Sequence, residues 1–319
     1  MTGRRRTGRY SRTLRTRRGQ RPSRTWAGRR PLSHCATGGV ALTRLWWASA
    51  RTALVVEGRK FTRSPVARIA TVAGFALVAV TTIGGFAAAG SSGETVLGRK
   101  ATALVTASAW AGYTGLGAMS VGVTMLLGAG VVMAWVVGRE FTDGTVVGLF
   151  AIPPRLTTIA DAKMTVALAW VALLALAEAA VLAIGGVALG LPLNGAPACA
   201  AVVWLTAVLL GASALPVMWV ATRWRGYLAG IAAALGLVVV TNVAAGFGLG
   251  SYLPWAVPVL WATPGTGTPA AMLALPVAAG LAGGLATRRA WRDLRLGRLT
   301  DSGTHGFVTV AQCVTGRSL

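Results

Sequence analysis

The sequence has few charged residues. Only 12% of its 319 residues are Asp, Glu, Lys or Arg, whereas about 25% is usual for a soluble domain, and 54% are hydrophobic. A chain with so little charge cannot cover a water-soluble surface, so a soluble globular fold is excluded. The composition instead predicts an all-α integral membrane protein, because a helix satisfies its own backbone hydrogen bonds inside lipid.

Cysteine and histidine are also scarce. The three cysteines, Cys35, Cys199 and Cys313, are far apart, and none has a second Cys or His at a metal-ligand spacing, so no metal site is expected. His34 and His305 lie in the polar ends of the chain. The long apolar runs carry no paired catalytic side chains at helical spacing, which argues against an intramembrane enzyme.

Acidic residues are few. The chain has eight Asp and Glu against 31 Lys and Arg, which gives a formal net charge of +23. Twelve of the arginines fall between Arg4 and Arg30, in a stretch dominated by Arg, Thr, Gly and Ser. Nucleic-acid binding needs charge spread over a folded surface with groove-reading or aromatic elements, which this stretch lacks. We therefore predict a disordered basic tail over residues 1–40 and no nucleic-acid partner.

Long apolar runs are abundant. Six of them approach or exceed the roughly 20 residues that a helix needs to cross a hydrocarbon core of ~30 Å. The predicted transmembrane helices are Val66–Ala89, Gly115–Val137, Met164–Ala188, Ala200–Ala221, Tyr227–Leu249 and Ala270–Ala286. Pro216 in the fourth helix and Pro276 in the sixth predict kinks. We assign residues 41–298 to one transmembrane domain and residues 299–319 to a C-terminal tail.

A helical period precedes the first apolar run. Between Leu42 and Phe61, apolar residues share one face, while Arg44, Arg51 and Arg59 occupy others. This pattern, with two tryptophans near the arginines, predicts a helix that lies in the membrane interface. A linker helix in solvent is the alternative.

Basic residues are distributed unequally between the two sides of the predicted bundle. Sixteen Lys and Arg lie in the flanks and short loops of one side, whereas only Arg99 and Lys100 lie on the other. By the positive-inside rule, the basic side faces the cytoplasm. The sequence therefore predicts a multi-pass protein of the cytoplasmic membrane, surrounded by membrane lipids, with both termini cytoplasmic.

The connection between the second and third predicted helices, Gly138–Lys163, holds most of the charge in the middle of the chain. Asp143 followed by Gly144 predicts a turn, because Asp caps a backbone N–H and Gly tolerates a positive φ. An apolar stretch follows and ends at Pro153-Pro154. The pattern predicts a short amphipathic helix that projects from the bundle and that a cytosolic partner can grip. A solvated loop without a partner is the alternative.

This connection resembles one in the membrane-spanning permease subunits of type-2 ATP-binding-cassette (ABC) exporters. The matching positions are Glu140-Phe141, Asp143-Gly144-Thr145, Leu149-Phe150, Pro153-Pro154-Arg155 and Ala162-Lys163. Glu57, Lys60 and Arg63-Ser64 before the first span, and Arg292-Asp293-Leu294 after the sixth, extend the resemblance over about residues 42–298. Pro154 stands where the family more usually has a small polar residue.

The resemblance implies a permease that exports an unidentified substrate while a separate ATPase subunit binds ATP. The connection would be the coupling helix that docks on this ATPase. Its implied docking residues are Glu140, Phe141, Asp143, Gly144, Thr145 and Arg155. The resemblance also implies a homodimer, or a heterodimer with a related permease, and no cofactor bound directly by this chain.

One observation agrees with an ATPase on another subunit, because the sequence contains no GxxxxGK[ST] phosphate-binding run. A secondary transporter driven by an ion gradient is an alternative function. A structural or regulatory membrane protein without transport activity is another.

Glu178 is the only carboxylate deep in a predicted span, where a charge costs about 2.5–3.5 kcal/mol. Two interpretations stay open: a residue on the path of a substrate or cation, or a neutral, hydrogen-bonded structural residue. Asn242 in the fifth span is its predicted polar partner.

Overall fold

The computed structural model describes residues 38–90, 96–105, 107, 109–151 and 154–294, and every regular element within them is helical. The predicted all-α class is therefore confirmed. The α-helices are α1 (Gly38–Thr62), α2 (Pro65–Ala79), α3 (Gly85–Gly90), α4 (Val96–Leu104), α5 (Ala109–Thr142), α6 (Leu156–Ala188), α7 (Ala196–Ser213), α8 (Pro216–Arg223), α9 (Tyr227–Gly246), α10 (Val257–Ala262) and α11 (Ala274–Arg292). Of the predicted tails, residues 1–37 and 299–319 lie outside the described residues.

Short helices of other types join or interrupt these α-helices. A π-helical turn at Val80–Gly84 separates α2 from α3. Four 3-10 helices lie at Thr145–Ala151, Leu193–Gly195, Gly250–Tyr252 and Ala270–Leu273. The chain from Arg44 onward forms one compact unit.

Six stretches of the described residues are long and apolar enough to cross a membrane, as predicted: Pro65–Gly90, Ala109–Thr142, Leu156–Ala188, Leu193–Arg223, Tyr227–Gly246 and Ala270–Arg292. The second and third, which are α5 and α6, have 34 and 33 residues, or about 50 Å at 1.5 Å per residue. Both are longer than a ~30 Å hydrocarbon core. The second span was predicted to end too early, at Val137, and the third to begin too late, at Met164. Both predictions placed the boundary where polar residues begin, although the helices continue to Thr142 and start at Leu156.

Helix α5 lies at the centre of the bundle. In the apolar part of this span, 67% of the residues are buried, compared with 11% in the first span and 17% in the fifth. The first span and α9 therefore present most of their apolar surface to the surroundings of the chain. Lipid is the solvent in which such a surface is stable.

Small residues bring α5 and α9 close together. A Cβ atom added to Gly130 would lie 2.6 Å from the Cβ of Ala234, and one added to Gly230 would lie 2.6 Å from the Cβ of Ala134. Lipid tails are as apolar as leucine, so helices in a bilayer gain little by burying large side chains and associate through close packing instead. The glycines of this chain therefore set helix separations.

The fourth span is broken at Pro216, as the sequence predicted. Helix α7 ends at Ser213 and α8 begins at Pro216, because proline has no N–H to continue the helix and its ring clashes with the preceding turn. The carbonyl of Ser213 accepts a hydrogen bond from the Trp255 Nε1 at 2.9 Å. The break therefore leaves this carbonyl satisfied inside the bundle.

The predicted kink at Pro276 is wrong. Helix α11 begins at Ala274, after the 3-10 helix Ala270–Leu273, so the proline lies in the first helical turn. Backbone N–H groups in that turn have no intrahelical partner, and proline fits there without bending the helix.

Helix α11 passes very close to the break in the fourth span. A Cβ added to Gly283 would lie 2.3 Å from the backbone nitrogen of Pro216, whereas one added to Gly284 would meet only side-chain atoms, the Met164 Sδ at 3.6 Å and the Leu215 Cδ1 at 3.8 Å. The first contact is too short for any Cβ and involves backbone, and the others are ordinary van der Waals contacts with flexible side chains.

We expect Gly283→Ala to destabilise the detergent-purified protein by about 1–3 kcal/mol, since α8 and α11 must move apart. The matched variant Gly284→Ala should be neutral or slightly stabilising, because alanine is the better helix former. Thermal unfolding of both variants beside the wild type measures the difference. Equal midpoints for the two variants would contradict the close crossing.

Candidate functional site

The connection between α5 and α6 contains a turn and a short 3-10 helix. Helix α5 continues to Thr142, and the chain then turns at Gly144, whose φ of 68° lies in the left-handed region that glycine tolerates best. The 3-10 helix Thr145–Ala151 follows, and α6 begins at Leu156. The predicted turn and the predicted short helix are therefore both present.

This 3-10 helix has a buried inner side and an open outer side. Val146 is only 3% exposed and anchors it, and Leu149 packs against the main apolar core. Val147 is 48% exposed, and Asp143, Thr145 and Arg155 are also exposed. The outer side thus combines an aliphatic group with charged and hydroxyl groups, and no described residue covers it.

Immediately behind this element lies a cluster of four charged side chains that joins three helices. The Lys163 Nζ on α6 lies 2.7 Å from Glu57 Oε2 on α1 and 2.7 Å from Glu140 Oε1 on α5. The Lys60 Nζ, also on α1, lies 3.0 Å from Glu57 Oε1 and 3.4 Å from Glu140 Oε1. We call these four residues the charge cluster.

The charge cluster is largely buried and electrically balanced. The side chains of Lys163, Glu140 and Glu57 are 1%, 3% and 7% exposed, whereas that of Lys60 is 38% exposed. Lys163 also donates to the backbone carbonyl of Val136 at 3.4 Å. Two cations and two carboxylates neutralise each other, which is the condition for charges to be buried without a large desolvation cost.

The cluster shifts the pKa of its α1 members. Burial by itself raises the pKa of Glu57, but Lys163 and Lys60 outweigh burial and bring the pKa below its ordinary value of 4.5. Burial lowers the pKa of Lys60, but Glu57 and Glu140 outweigh it and raise the pKa above 10.5. Glu57 therefore stabilises the folded state above pH 4.5, and this contribution is lost as the pH falls below that value.

Glu140 occupies a different environment from the one the sequence suggested. The prediction placed it on the surface that meets a partner, but its side chain is 3% exposed and bonded to Lys163. The physical reason is the length of α5, which carries Glu140 past the predicted helix end while keeping it on the inner face. Phe141 is partly buried too, and its ring lies edge-on to that of Trp291 at 6.2 Å.

Sequence reasoning missed the cluster as a unit. All four residues belong to motifs that carried the family resemblance, but Glu57 and Lys163 are 106 positions apart, and local spacing does not show which distant side chains meet. A usable signal was the position of Glu57 and Glu140, each next to an apolar run, since a carboxylate at such a position requires a cation.

A second polar contact closes the same end of the bundle. Trp291 on α11 is fully buried, and its Nε1 donates to Thr222 Oγ1 on α8 at 3.2 Å. Because Trp291 also contacts Phe141, α5, α8 and α11 are joined there. The charge cluster and this contact together fix the ends of the helices next to the connection.

Glu178 is deeply buried on α6 without a hydrogen bond among the described residues. It is 1% exposed, and neither carboxylate oxygen has a partner. A Cβ added to Gly74 on α2 would lie 3.7 Å from Glu178 Oε1, so the side chain faces the first span. An unsatisfied carboxyl group in an apolar bundle requires a functional or structural reason.

Asn242 is not the partner of Glu178. Asn242 is exposed, its Nδ2 donates to the carbonyl of Val238 at 2.8 Å within α9, and it lines a separate cavity of about 230 Å³ beside Trp255. The predicted pairing is wrong because α9 packs on α5, whereas Glu178 faces α2. In the described part of the chain, no three His, Cys, Asp or Glu side chains come together as a metal-binding group.

These features define a multi-pass helical membrane protein in which buried charges join α1 to the helices on both sides of the connection. The family model for ABC-2 family transporter proteins matches residues 53–241, more than half of the chain. The chain therefore belongs to the ABC-2 transporter family and is the membrane subunit of an ABC transporter. This subunit is a transport component and is not itself catalytic.

The match includes all four residues of the charge cluster and the whole connection between α5 and α6. It does not favour the alternative of a secondary transporter driven by an ion gradient. No curated protein matches the chain.

We expect Lys163→Met to lower the free energy of unfolding by about 3–5 kcal/mol, because Glu57 and Glu140 would stay buried without a full counter-charge. Lys60→Met is the matched variant. It removes the same charge from a more exposed position and should cost about 1 kcal/mol or less. Unfolding of the purified variants in detergent measures both values.

The pH dependence of the stability of Lys163→Met distinguishes the loss of a counter-charge from a simple packing defect. Burial raises the pKa of Glu57, and without Lys163 only Lys60 opposes this effect, so the variant should gain stability relative to the wild type as the pH falls toward 5. A loss in Lys163→Met that is the same at every pH would contradict the role of the charge cluster.

Proposed function

We propose that this ABC-2 family permease exports its substrate across the cytoplasmic membrane, and that a separate ATPase subunit drives it by docking on the connection between α5 and α6. The observation that carries the proposal is the open outer side of the 3-10 helix Thr145–Ala151, directly in front of the charge cluster. The family match supports an ATPase partner in general.

The proposed topology places both termini and the connection in the cytoplasm. The ends of α5, α8 and α11 that meet near Trp291 carry six arginines: Arg139, Arg223, Arg225, Arg288, Arg289 and Arg292. The positive-inside rule places such a basic end in the cytoplasm. Helix α1 would lie in the interface on the same side. It exposes both Arg51 and the aliphatic Val55 and Val56, as expected for a helix between lipid and water.

Coupling would proceed through the charge cluster. When the ATPase subunit closes on ATP, it would push on the exposed group formed by Asp143, Thr145, Val147 and Arg155. Lys163 is bonded to α1 and α5 at once and belongs to α6. A force on the connection would therefore move the ends of three helices together instead of bending the loop alone.

The transport pathway would need a second permease subunit. The first span and α9 leave most of their apolar surface uncovered, with Ile69 at 67% and Val239 at 59% exposure. We propose that a second copy, or a related permease, completes a dimer that pairs with two ATPase domains. Glu178 and Asn242 are proposed for the substrate or ion path as two separate polar positions.

We expect Val147→Asp to reduce the amount of ATPase captured with the tagged permease from its native membrane by about tenfold or more, since a charge would enter the docking surface. Leu193→Asp is a matched control. Leu193 is also an exposed aliphatic residue in a short 3-10 helix, at the opposite end of α6. Equal capture by the wild type and both variants, or no ATPase with the wild type, would contradict the proposal.

We expect Glu178→Gln to leave the amount of assembled complex unchanged and to alter its export selectively, since glutamine keeps the shape but cannot ionise. Export into inverted vesicles supplied with ATP is the measurement, and ATPase capture is the assembly control. Export equal to that of the wild type would remove Glu178 from the transport path and leave it a structural residue.

A further inference from the structure

A cavity opens between α8 and α11 at the end of the bundle that we place in the cytoplasm. Its volume is about 540 Å³, within the range of small-molecule sites. The lining residues that matter here are Trp219, Arg223, Arg225, Ala286, Arg289 and Asp293. Three arginines face one aspartate, so the cavity carries an excess of positive charge.

The cavity is graded from apolar to basic along both of its walls. On α8, Trp219 precedes Arg223 by one helical turn, and on α11, Ala286 precedes Arg289 by nearly one turn. Both helices run toward the same end of the bundle, as the Trp291–Thr222 contact requires. The apolar part therefore lies deeper in the bundle and the arginines lie at its rim.

Two tryptophans mark the depth of this rim. Trp219 and Trp224 are 37% and 62% exposed, and their rings contact each other edge-on at 6.2 Å. Exposed tryptophans on membrane helices settle at the level of the lipid head groups. The arginines of the cavity are thus placed at the depth at which lipid phosphates lie.

Arg225 occupies a position that normally requires glycine. Its φ is 52°, and the N–H groups of Arg225 and Gly226 donate to the carbonyls of Thr222 and Ala221 at the end of α8. This is the helix-ending turn in which glycine is usual, because a side chain in this conformation is strained. An arginine kept in a strained position beside a basic cavity points to a function for its side chain.

We propose that this cavity binds the phosphate-bearing head group of an anionic membrane lipid, with the first part of an acyl chain against Trp219 and Ala286. Guanidinium groups bind phosphate through paired N–H donors. Among the described residues, no carboxylate lies within ion-pair distance of Arg223 or Arg289, so both can serve an external anion. Basic pockets between membrane helices are suited to such head groups.

The apolar and basic parts of the cavity together favour a lipid as the ligand over a soluble phosphate compound or the ATPase. A free phosphate would not need the apolar half of the cavity. The projecting connection proposed for ATPase docking is a separate element, and none of its residues lines this cavity. The inference is independent of ATPase coupling.

The test uses the full-length protein in detergent and native mass spectrometry with added phosphatidylglycerol, phosphatidylcholine or inorganic phosphate. We expect the wild type to retain phosphatidylglycerol in preference to phosphatidylcholine. The double variant Arg223→Gln, Arg289→Gln should lose this preference by on the order of thirtyfold, from two arginine contacts. Arg223 and Arg289 are both exposed, so this double variant should keep the unfolding temperature of the wild type.

The matched control is Arg63→Gln with Arg292→Gln, which removes two arginines from the same side of the bundle but outside the cavity. It should keep the lipid preference within about twofold. The proposal is overturned if the two double variants lose phosphatidylglycerol equally, or if inorganic phosphate displaces the lipid. It is also overturned if the cavity variant keeps the lipid preference and loses the captured ATPase instead.

Discussion

The ion pairs of Lys163 with Glu57 and Glu140 are the contacts on which this end of the structure depends. They join α1 to α5 and α6, the two longest helices of the bundle. The Coulomb attraction offsets the desolvation of the group only while all partners are present. The arrangement makes the ends of α1, α5 and α6 one mechanical unit.

Away from that end, the small size of facing side chains, and not charge, determines how the helices pack. The glycines of α5 and α9 let backbones approach to contact distance, and Gly283 on α11 does the same at the break beside Pro216. The bundle is therefore rigid where small residues face each other. The first span, in which few residues are buried and a π-helical turn interrupts the helix, is the least constrained part of the described bundle.

The sequence was sufficient for the features that arise from local rules. Long apolar runs located all six spans, Pro216 located the break, and Asp143-Gly144 located the turn before the short helix. Features that depend on distant residues escaped it: the burial of Glu140 arises from the extra length of α5, and the pairing of Glu178 with Asn242 failed because helix neighbours are set in three dimensions. The kink predicted at Pro276 was wrong because the effect of a proline depends on where the helix begins, and α11 begins only two residues earlier.

The charge cluster also has a consequence for how the chain is made. Glu57 and Glu140 are synthesised before Lys163, the lysine that links them. Until α6 emerges from the ribosome, Glu57 on α1 and Glu140 on α5 have only Lys60 of the cluster as a counter-charge. The charge cluster is therefore complete only after residue 163 has been added.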